Sequence, residues 1–235
     1  MILFHKGGNL FGRYQFSFNK FFNLIHSVVS LGVKNLSFAY FLDIFIFTAI
    51  IKLILLPLTI SQTKSQVKMT EMQPKLKELQ EKYKGDPQKL QQKQMELYKE
   101  MGASPFSGCL LIFIQFPIFI AMYQVIYKYT GFNDVGFLWI KSLGQKDSLY
   151  ILPILSGITT YIQGIMMTPK GDDAQAKSQK QMNIFMTLFI TWVSINFKAA
   201  LVLYWIISNV IQIGIQYFIV NKIKNKEQEA LAIKK

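Results

Sequence analysis

The stretch LSFAYFLDIFIFTAIIKLILLPLT, Leu36–Thr59, decides how this chain is built. It is 24 residues long and almost entirely apolar, and a helix of about 20 apolar residues spans the hydrocarbon core of a bilayer. One cation, Lys52, lies near its middle. A charge at that depth costs about 2.5–3.5 kcal/mol on insertion scales. The stretch therefore predicts a membrane-spanning helix whose lysine faces a protein-lined or water-filled cavity.

The composition of the whole chain is that of a polytopic membrane protein. The 235 residues are 51% hydrophobic with a mean hydropathy of +0.26, and the apolar residues come in long runs. The formal charge of +13 is attributed to lysines that flank spans and contact anionic headgroups. The single cysteine, Cys109, allows no intramolecular disulfide. His5 and His26 have no cysteine or carboxylate cluster near them in the sequence, so neither a metal site, nor a cofactor, nor an enzymatic activity is expected.

The apolar runs predict an all-α protein with five transmembrane helices. In order, the predicted segments are an external segment with an interfacial amphipathic helix (1–35), the first span (36–60), a cytoplasmic helical hairpin (61–104), the second span (105–129), an external loop (130–148), the third span (149–168), a cytoplasmic loop (169–179), the fourth span (180–196), the fifth span (199–220) and a basic tail (221–235). The apolar part of the fourth span is short, about 24 Å as a helix, which predicts local thinning of the bilayer.

The segment from Ser17 to Val33 has helical spacing with one apolar and one polar face. It is too polar to span a membrane, so it is expected to lie on the membrane surface or to pack on the protein's own external end. The predicted apolar face carries Phe18, Phe21, Phe22, Ile25, Val28, Val29 and Gly32, and the predicted polar face carries Lys20, Asn23, His26, Ser27 and Ser30. The N-terminus lacks an apolar core long enough for a cleavable signal peptide, so residue 1 is expected in the mature chain.

The hairpin prediction rests on two helical patterns separated by a turn. Lys84-Gly85-Asp86-Pro87 is a strong helix break. The apolar seam is Met72, Leu76, Leu79 and Tyr83 before the break, and Leu90, Leu97 and Met101 after it.

Basic residues set the expected orientation. The hairpin, the loop that ends at Lys180 and the tail together carry 17 of the 26 basic residues, against seven on the other side. The positive-inside rule then places the hairpin and the C-terminus in the cytoplasm, and five spans place the N-terminus outside.

Polar residues inside the spans suggest a hydrophilic groove. Thr48 and Lys52 are four residues apart, on one helix face. Asp43 lies nine residues before Lys52, about 13 Å along the axis and too far for a direct ion pair. Alternatively, the uncharged polar residues join helices by hydrogen bonds without lining a groove. The candidate groove residues are Lys52, Thr48, Gln115, Gln163, Tyr204, Trp205 and Gln212.

Two long stretches resemble a known family. LPLTISQTKSQVKMTEMQPKLKELQEKYKGDPQKLQQKQMELYKEMGASPFSGCLLIFIQFPIFIAMY, Leu56 to Tyr123, and LVLYWIISNVIQIGIQ, Leu201 to Gln216, are similar to the YidC/Oxa membrane protein insertases. The resemblance implies a five-helix core around a groove that is open to cytoplasm and lipid and closed outside. Lys52 stands where the family has an arginine, and relatives more often have a Pro- and Gly-containing turn where this chain has Phe197-Lys198-Ala199.

The resemblance also implies the partners of the chain. Nascent membrane proteins are the expected substrates, the hairpin is expected to recruit substrates or targeting factors, and the basic tail is expected to help dock ribosomes. Whether the Sec translocon takes part stays open. The leading hypothesis is therefore an insertase of a bacterial plasma membrane that releases hydrophobic segments into the bilayer.

Two alternatives remain at this point. A small secondary transporter would also place a lysine at mid-membrane depth, but it should show repeated or broken helices. A scaffold for other membrane proteins would explain the hairpin but not the buried charge.

Overall fold

The computed structural model describes residues 19–102, 107–168 and 174–233, and within these ranges the chain is all-α. An isolated bridge between Phe137 and Ile140 is the extent of β-structure in the described part. The helices are α1 (19–32), α2 (Leu36–Ile54), α3 (Leu56–Lys82), α4 (Pro87–Glu100), α5 (Ser107–Lys128), a 3₁₀ turn (Thr130–Phe132), α6 (Ile151–Met167), α7 (Ala174–Ser194) and α8 (Ala199–Ile233). The all-helical class predicted from the sequence is confirmed; the predicted start of the second span at residue 105 lies outside the described residues.

The chain forms two compact units. The first contains the residues up to Ile54, together with Ile114–Thr160 and Thr187–Ile211. The second contains Leu55–Phe113, Tyr161–Met186 and the chain from Gln212 onward.

The predicted first span is divided between two helices. α2 ends at Ile54, and α3 begins at Leu56 after the single residue Leu55. Pro57 lies in the first turn of α3, where its missing N–H would have no helical partner in any case. The predicted span to Thr59 therefore contains the helix boundary that Pro57 imposes.

The amphipathic segment forms α1, and one residue of its predicted polar face lies elsewhere. Phe22, Ile25 and Val29 are buried in the core of the first unit. Val28, also on the predicted apolar face, is 62% exposed. His26, expected on the polar face, turns inward and contacts Asp43 of α2.

α3 and α4 pack together in the second unit. Their buried cluster contains Met69, Met72, Leu76, Leu97 and Tyr98, with Leu79 and Met101 at its margin. Tyr83 and Leu90, the predicted seam residues nearest the turn, are only partly buried and lie outside this cluster. Asp86 caps α4 by accepting a hydrogen bond from the Lys89 amide at 3.1 Å.

Two helices continue beyond the predicted boundaries. α7 begins at Ala174 and has 21 residues, about 31 Å of helix. The residues added at its start, AQAKSQ, are mostly polar, so the apolar part is no longer than predicted and bilayer thinning stays a prediction. α8 runs to Ile233, through most of the segment predicted as a separate tail. In both cases the added residues are mostly polar but include no proline that would end a helix.

Two described helices are long and apolar enough to cross a membrane: Leu36–Ile54 and the Ala199–Val220 part of α8. α6 is apolar but has 17 residues. Large apolar side chains are also exposed on α6 and α7, a surface that water would disfavour and lipid would cover. They include Ile154, Ile158 and Ile162 on α6, and Phe185, Leu188 and Trp192 on α7.

The segment before α6 receives the start of α8 in the first unit. The amide of Ala199 donates to the carbonyl of Gln145 at 2.6 Å, and the amide of Ala200 donates to the carbonyl of Leu143 at 3.0 Å. These bonds satisfy donors that a helix N-terminus leaves without intrahelical acceptors. The Lys198 ammonium lies 4.7 Å from the centre of the Tyr127 ring at the end of α5. The Phe197-Lys198-Ala199 turn is therefore held from two sides.

Asp147 fixes the same segment against the start of α6. Its carboxylate is buried and accepts hydrogen bonds from the amides of Leu149 (3.1 Å) and Leu152 (2.7 Å), and from the indole N–H of Trp139 (3.2 Å). One side chain thus caps a helix and anchors the loop.

Replacing Asp147 by alanine is expected to lower the free energy of unfolding by about 2–4 kcal/mol, since three donors lose their acceptor, one of them buried and two partly buried. Thermal unfolding in detergent measures this, with Asp134→Ala as the matched control. Asp134 is exposed, and its replacement should change stability by less than about 0.5 kcal/mol. Equal stability of the two variants would contradict the anchoring role.

Candidate functional site

The predicted groove lysine is buried within the first unit. Lys52 lies in the last turn of α2 and is 7% exposed, and Thr48, one turn earlier, is 1% exposed. The Thr48 hydroxyl donates to the carbonyl of Ile44 at 2.6 Å, so the threonine adds no unsatisfied donor to the helix. The two predicted residues share one buried face of α2.

Gln115 and Tyr204 join α5 to α8. The Gln115 amide donates to the Tyr204 hydroxyl at 3.2 Å, and Tyr204 is 1% exposed. The first turns of α8 are buried on every side, from Ala199 through Tyr204. A tyrosine hydroxyl in such surroundings needs a hydrogen-bond partner, and Gln115 supplies it.

Trp205 belongs to a second polar cluster, between α6 and α8. Its indole N–H donates to the Thr160 hydroxyl at 3.0 Å. The Asn209 amide donates to Thr160 at 3.0 Å and to Thr159 at 3.2 Å. Between α6 and α7, Ser156 donates to Ser194 at 3.0 Å. Polar contacts therefore connect α8 with α5 and α6, and α6 with α7.

The structure thus brings four of the predicted residues together in two pairs. Thr48 and Lys52 share a helix face, and Gln115 contacts Tyr204. Trp205 instead contacts Thr160, which was not predicted. The interhelical bonds of Gln115, Tyr204 and Trp205 are those expected if these residues hold helices together. Gln163 and Gln212 lie in the second unit, Gln212 buried and Gln163 partly so, and their place in a groove stays a prediction.

Two contacts were missed from the sequence. Thr160, which accepts from both Trp205 and Asn209, stands three residues before Gln163, and this helical spacing could have identified it. The pairing of His26 with Asp43 at 2.6 Å links residues on separate helices, and no local pattern marks it. Among the described residues, no group of three His, Cys, Asp or Glu side chains could hold a metal ion.

Comparison with known sequences decides the family. The family described as "60Kd inner membrane protein" matches residues 32–227. A protein of Clostridium tetani named "Membrane protein insertase YidC" is 44% identical over 207 residues, covering 88% of this chain and 93% of that protein. A protein of Clostridium acetobutylicum with the same name is 48% identical over 215 residues, covering 89% and 84%. This chain belongs to the YidC/Oxa family of membrane protein insertases.

Membership in this family makes insertion of membrane proteins the function of the chain, and it leaves the transporter alternative without support. A longer insertase of the same name from Ectopseudomonas mendocina is 39% identical over 191 residues, which are 81% of this chain but 32% of that protein. The YidC/Oxa region shared by both thus coincides with most of the residues described above.

Replacing Thr160 by valine keeps the shape of the side chain and removes the hydroxyl that accepts from Trp205 and Asn209. The free energy of unfolding is expected to fall by about 1–3 kcal/mol, because a buried donor is left without an acceptor. Circular dichroism during heating would measure the change. Thr130→Val, at an exposed threonine, is the control, and a Thr160→Val protein as stable as this control would show that the α6–α8 cluster contributes nothing.

Proposed function

We propose that the buried face of α2 around Lys52 is the surface that receives the hydrophilic part of a nascent membrane protein. The observation that carries this proposal is the burial of an ammonium group in an apolar helix, one turn from Thr48. Ionisable residues inside membrane segments are costly and mark functional pathways. In an insertase, the pathway is that of the substrate's polar segment.

The proposed mechanism is physical rather than covalent. A short hydrophilic or acidic segment enters from the cytoplasm and lies beside Lys52, whose charge attracts carboxylates. The segment's polar groups then lose less hydration than they would in lipid, where an unpaired polar group costs several kcal/mol. The barrier to crossing is lowered because the segment is never transferred into pure hydrocarbon.

The energy for release comes from the substrate's own hydrophobic segment. Each CH₂ group that leaves water for lipid contributes about 0.8 kcal/mol, so a 20-residue apolar segment greatly outweighs the cost of moving a short polar tail. Lys52 therefore needs to hold the tail only weakly. An ammonium suits this task, since it attracts carboxylates as a point charge without the fixed two-point geometry of a guanidinium.

The arrangement in the membrane is part of the proposal. Five spans, with the N-terminus outside and the C-terminus in the cytoplasm, agree with the lysine bias of the sequence and would leave the groove open to the cytoplasm. Gln115, Tyr204 and Trp205 would fix the helices that flank it. Gln163 and Gln212 are the remaining proposed substrate contacts, testable by cross-linking from each position to a stalled nascent chain.

Partners of the cytoplasmic side are proposed from charge and position. The α3–α4 hairpin, with nine lysines between Lys64 and Lys99, would recruit substrates or targeting factors. The last part of α8 and the residues after it carry five lysines, which would attract the phosphates of ribosomal RNA without reading its sequence. Cooperation with the Sec translocon is compatible with this arrangement.

Replacing Lys52 tests the proposed site. In liposomes, Lys52→Ala is expected to reduce insertion of a small single-span substrate with an acidic tail by about 5–30-fold, the factor for 1–2 kcal/mol of lost attraction. Lys52→Arg should keep most of the activity, because the charge is preserved, and Lys52→Glu should be the least active.

The control is Lys141→Ala, which removes an exposed lysine from the segment between α5 and α6 and should insert normally. If Lys52→Ala and Lys52→Glu both insert as well as the unmodified protein, the charge at position 52 has no role with substrates. Solute flux without insertion would return the transporter alternative to consideration.

Removing residues 221–235 tests the proposed ribosome contact. Co-sedimentation with ribosomes should weaken, and its dependence on salt should become shallower, because fewer lysine–phosphate contacts release counterions. Insertion of a substrate supplied without ribosomes should be unchanged. Unaltered co-sedimentation at all salt concentrations would assign ribosome binding elsewhere.

A further inference from the structure

Asp43 is a buried carboxylate in the first half of α2. It is 0% exposed, and its Oδ2 lies 2.6 Å from Nδ1 of His26 in α1. Its Oδ1 has no hydrogen-bond partner among the described residues. The imidazole is therefore the group that compensates this carboxylate.

The imidazole itself is held by aromatic rings. The His26 ring stacks on Tyr40 of α2 with centroids 4.5 Å apart and an interplanar angle of 11°. Tyr129, just after α5, meets the His26 ring edge-on at 6.5 Å, and the Tyr40 and Tyr129 hydroxyls are 3.4 Å apart. His26 is thus fixed by contacts from α2 and from the end of α5.

Apolar contacts around the pair also dock α1. Phe22 packs against Phe47 of α2 and against Tyr129 and Phe132. These ring contacts bury apolar area, whereas the His26–Asp43 contact supplies a polar partner. Displacement of α1 would leave the fully buried Asp43 carboxyl group without that partner.

The pair also relates to the direction in which Lys52 faces. Asp43 and Lys52 are nine residues apart in one helix, which is two and a half turns, so they lie on opposite sides of α2. Holding Asp43 against α1 turns Lys52 to the side away from α1. Rotation of α2 about its axis would move both groups together.

We propose that His26 and Asp43 are positioning residues for the groove lysine, setting the rotation of α2 by the buried His26–Asp43 contact on its opposite side. This inference rests on the proposed function, since it takes Lys52 as the substrate-binding charge. It assigns α1 a role in setting the direction in which the Lys52 side chain faces.

The test compares His26→Ala, which leaves the Asp43 carboxyl group without its partner, with His26→Ala/Asp43→Asn, which also removes that carboxyl group. Hydrogen exchange of the α1 amides should become at least tenfold faster in the single variant, a factor that corresponds to about 1.4 kcal/mol. The double variant should recover most of this protection, since no buried charge remains unpaired. Ser30→Ala, at an exposed serine of α1, is the control and should exchange like the unmodified protein.

A second measurement separates positioning from general loss of structure. Each variant is assayed for insertion of a substrate with an acidic tail and of the same substrate with neutral amides in the tail. The ratio of the acidic-tail yield to the neutral-tail yield reports the action of Lys52. Partial unfolding lowers both yields and keeps the ratio. If α2 rotates so that Lys52 faces another way, the ratio falls toward the value measured for Lys52→Ala. This fall is the expected result for His26→Ala.

The outcomes distinguish this inference from the function on which it rests. If His26→Ala exchanges like the control, or keeps the full ratio while α1 exchanges faster, the positioning role is overturned. A double variant as unprotected as the single one would also overturn it, because charge pairing would then be irrelevant. If the unmodified protein already has the ratio of Lys52→Ala, the proposed function fails instead.

Discussion

An ionised side chain on a membrane helix must be given a counter-charge, a hydrogen-bonding environment or water, and this constraint shapes the first unit. α2 carries two ionisable groups, Asp43 and Lys52, on opposite sides and both almost fully buried. The Asp43 carboxyl group contacts His26, which belongs to a helix outside the apolar run. Lys52 lies one turn after Thr48, in the last turn of α2. The first group is thus used for assembly, and the second is the group to which the proposed function assigns substrate binding.

The neutral polar residues of α5, α6, α7 and α8 have a different role from that of Lys52. Gln115 with Tyr204, Trp205 with Thr160, and Ser156 with Ser194 bond to one another across helices. Such bonds hold helices together where lipid gives no hydrophobic drive for association. The sequence could not separate this role from groove lining, because both require inward-facing polar groups at helical spacing. Their mutual pairing favours the structural role for these residues and leaves Lys52 as the residue on which the binding proposal depends.

Features that depend on hydrophobic periodicity and on the solvation of charges were predictable from the sequence. Contacts that depend on which faces of two helices meet were not. The burial of Lys52 and the helical class follow from hydropathy and charge. The pairing of His26 with Asp43 does not, since it depends on how α1 rotates when it docks. The polar extensions of α7 and α8 were also not predicted, because hydropathy marks the apolar part of a helix, whereas proline or glycine marks where a helix stops. At Leu55 a helix boundary was not predicted, because the sequence on both sides of it is apolar, although Pro57 ends the preceding helix there.

The hydrogen bonds from Ala199 and Ala200 to the carbonyls of Gln145 and Leu143 have a consequence for biogenesis. α8 leaves the ribosome after this loop, and its first turn completes its hydrogen bonding on carbonyls made some fifty residues earlier. The loop, which Asp147 anchors to α6, must therefore be ordered before these bonds can form. The backbone thus constrains the order of assembly in a protein that itself inserts others: the start of α8 cannot complete its hydrogen bonding until the loop is in place.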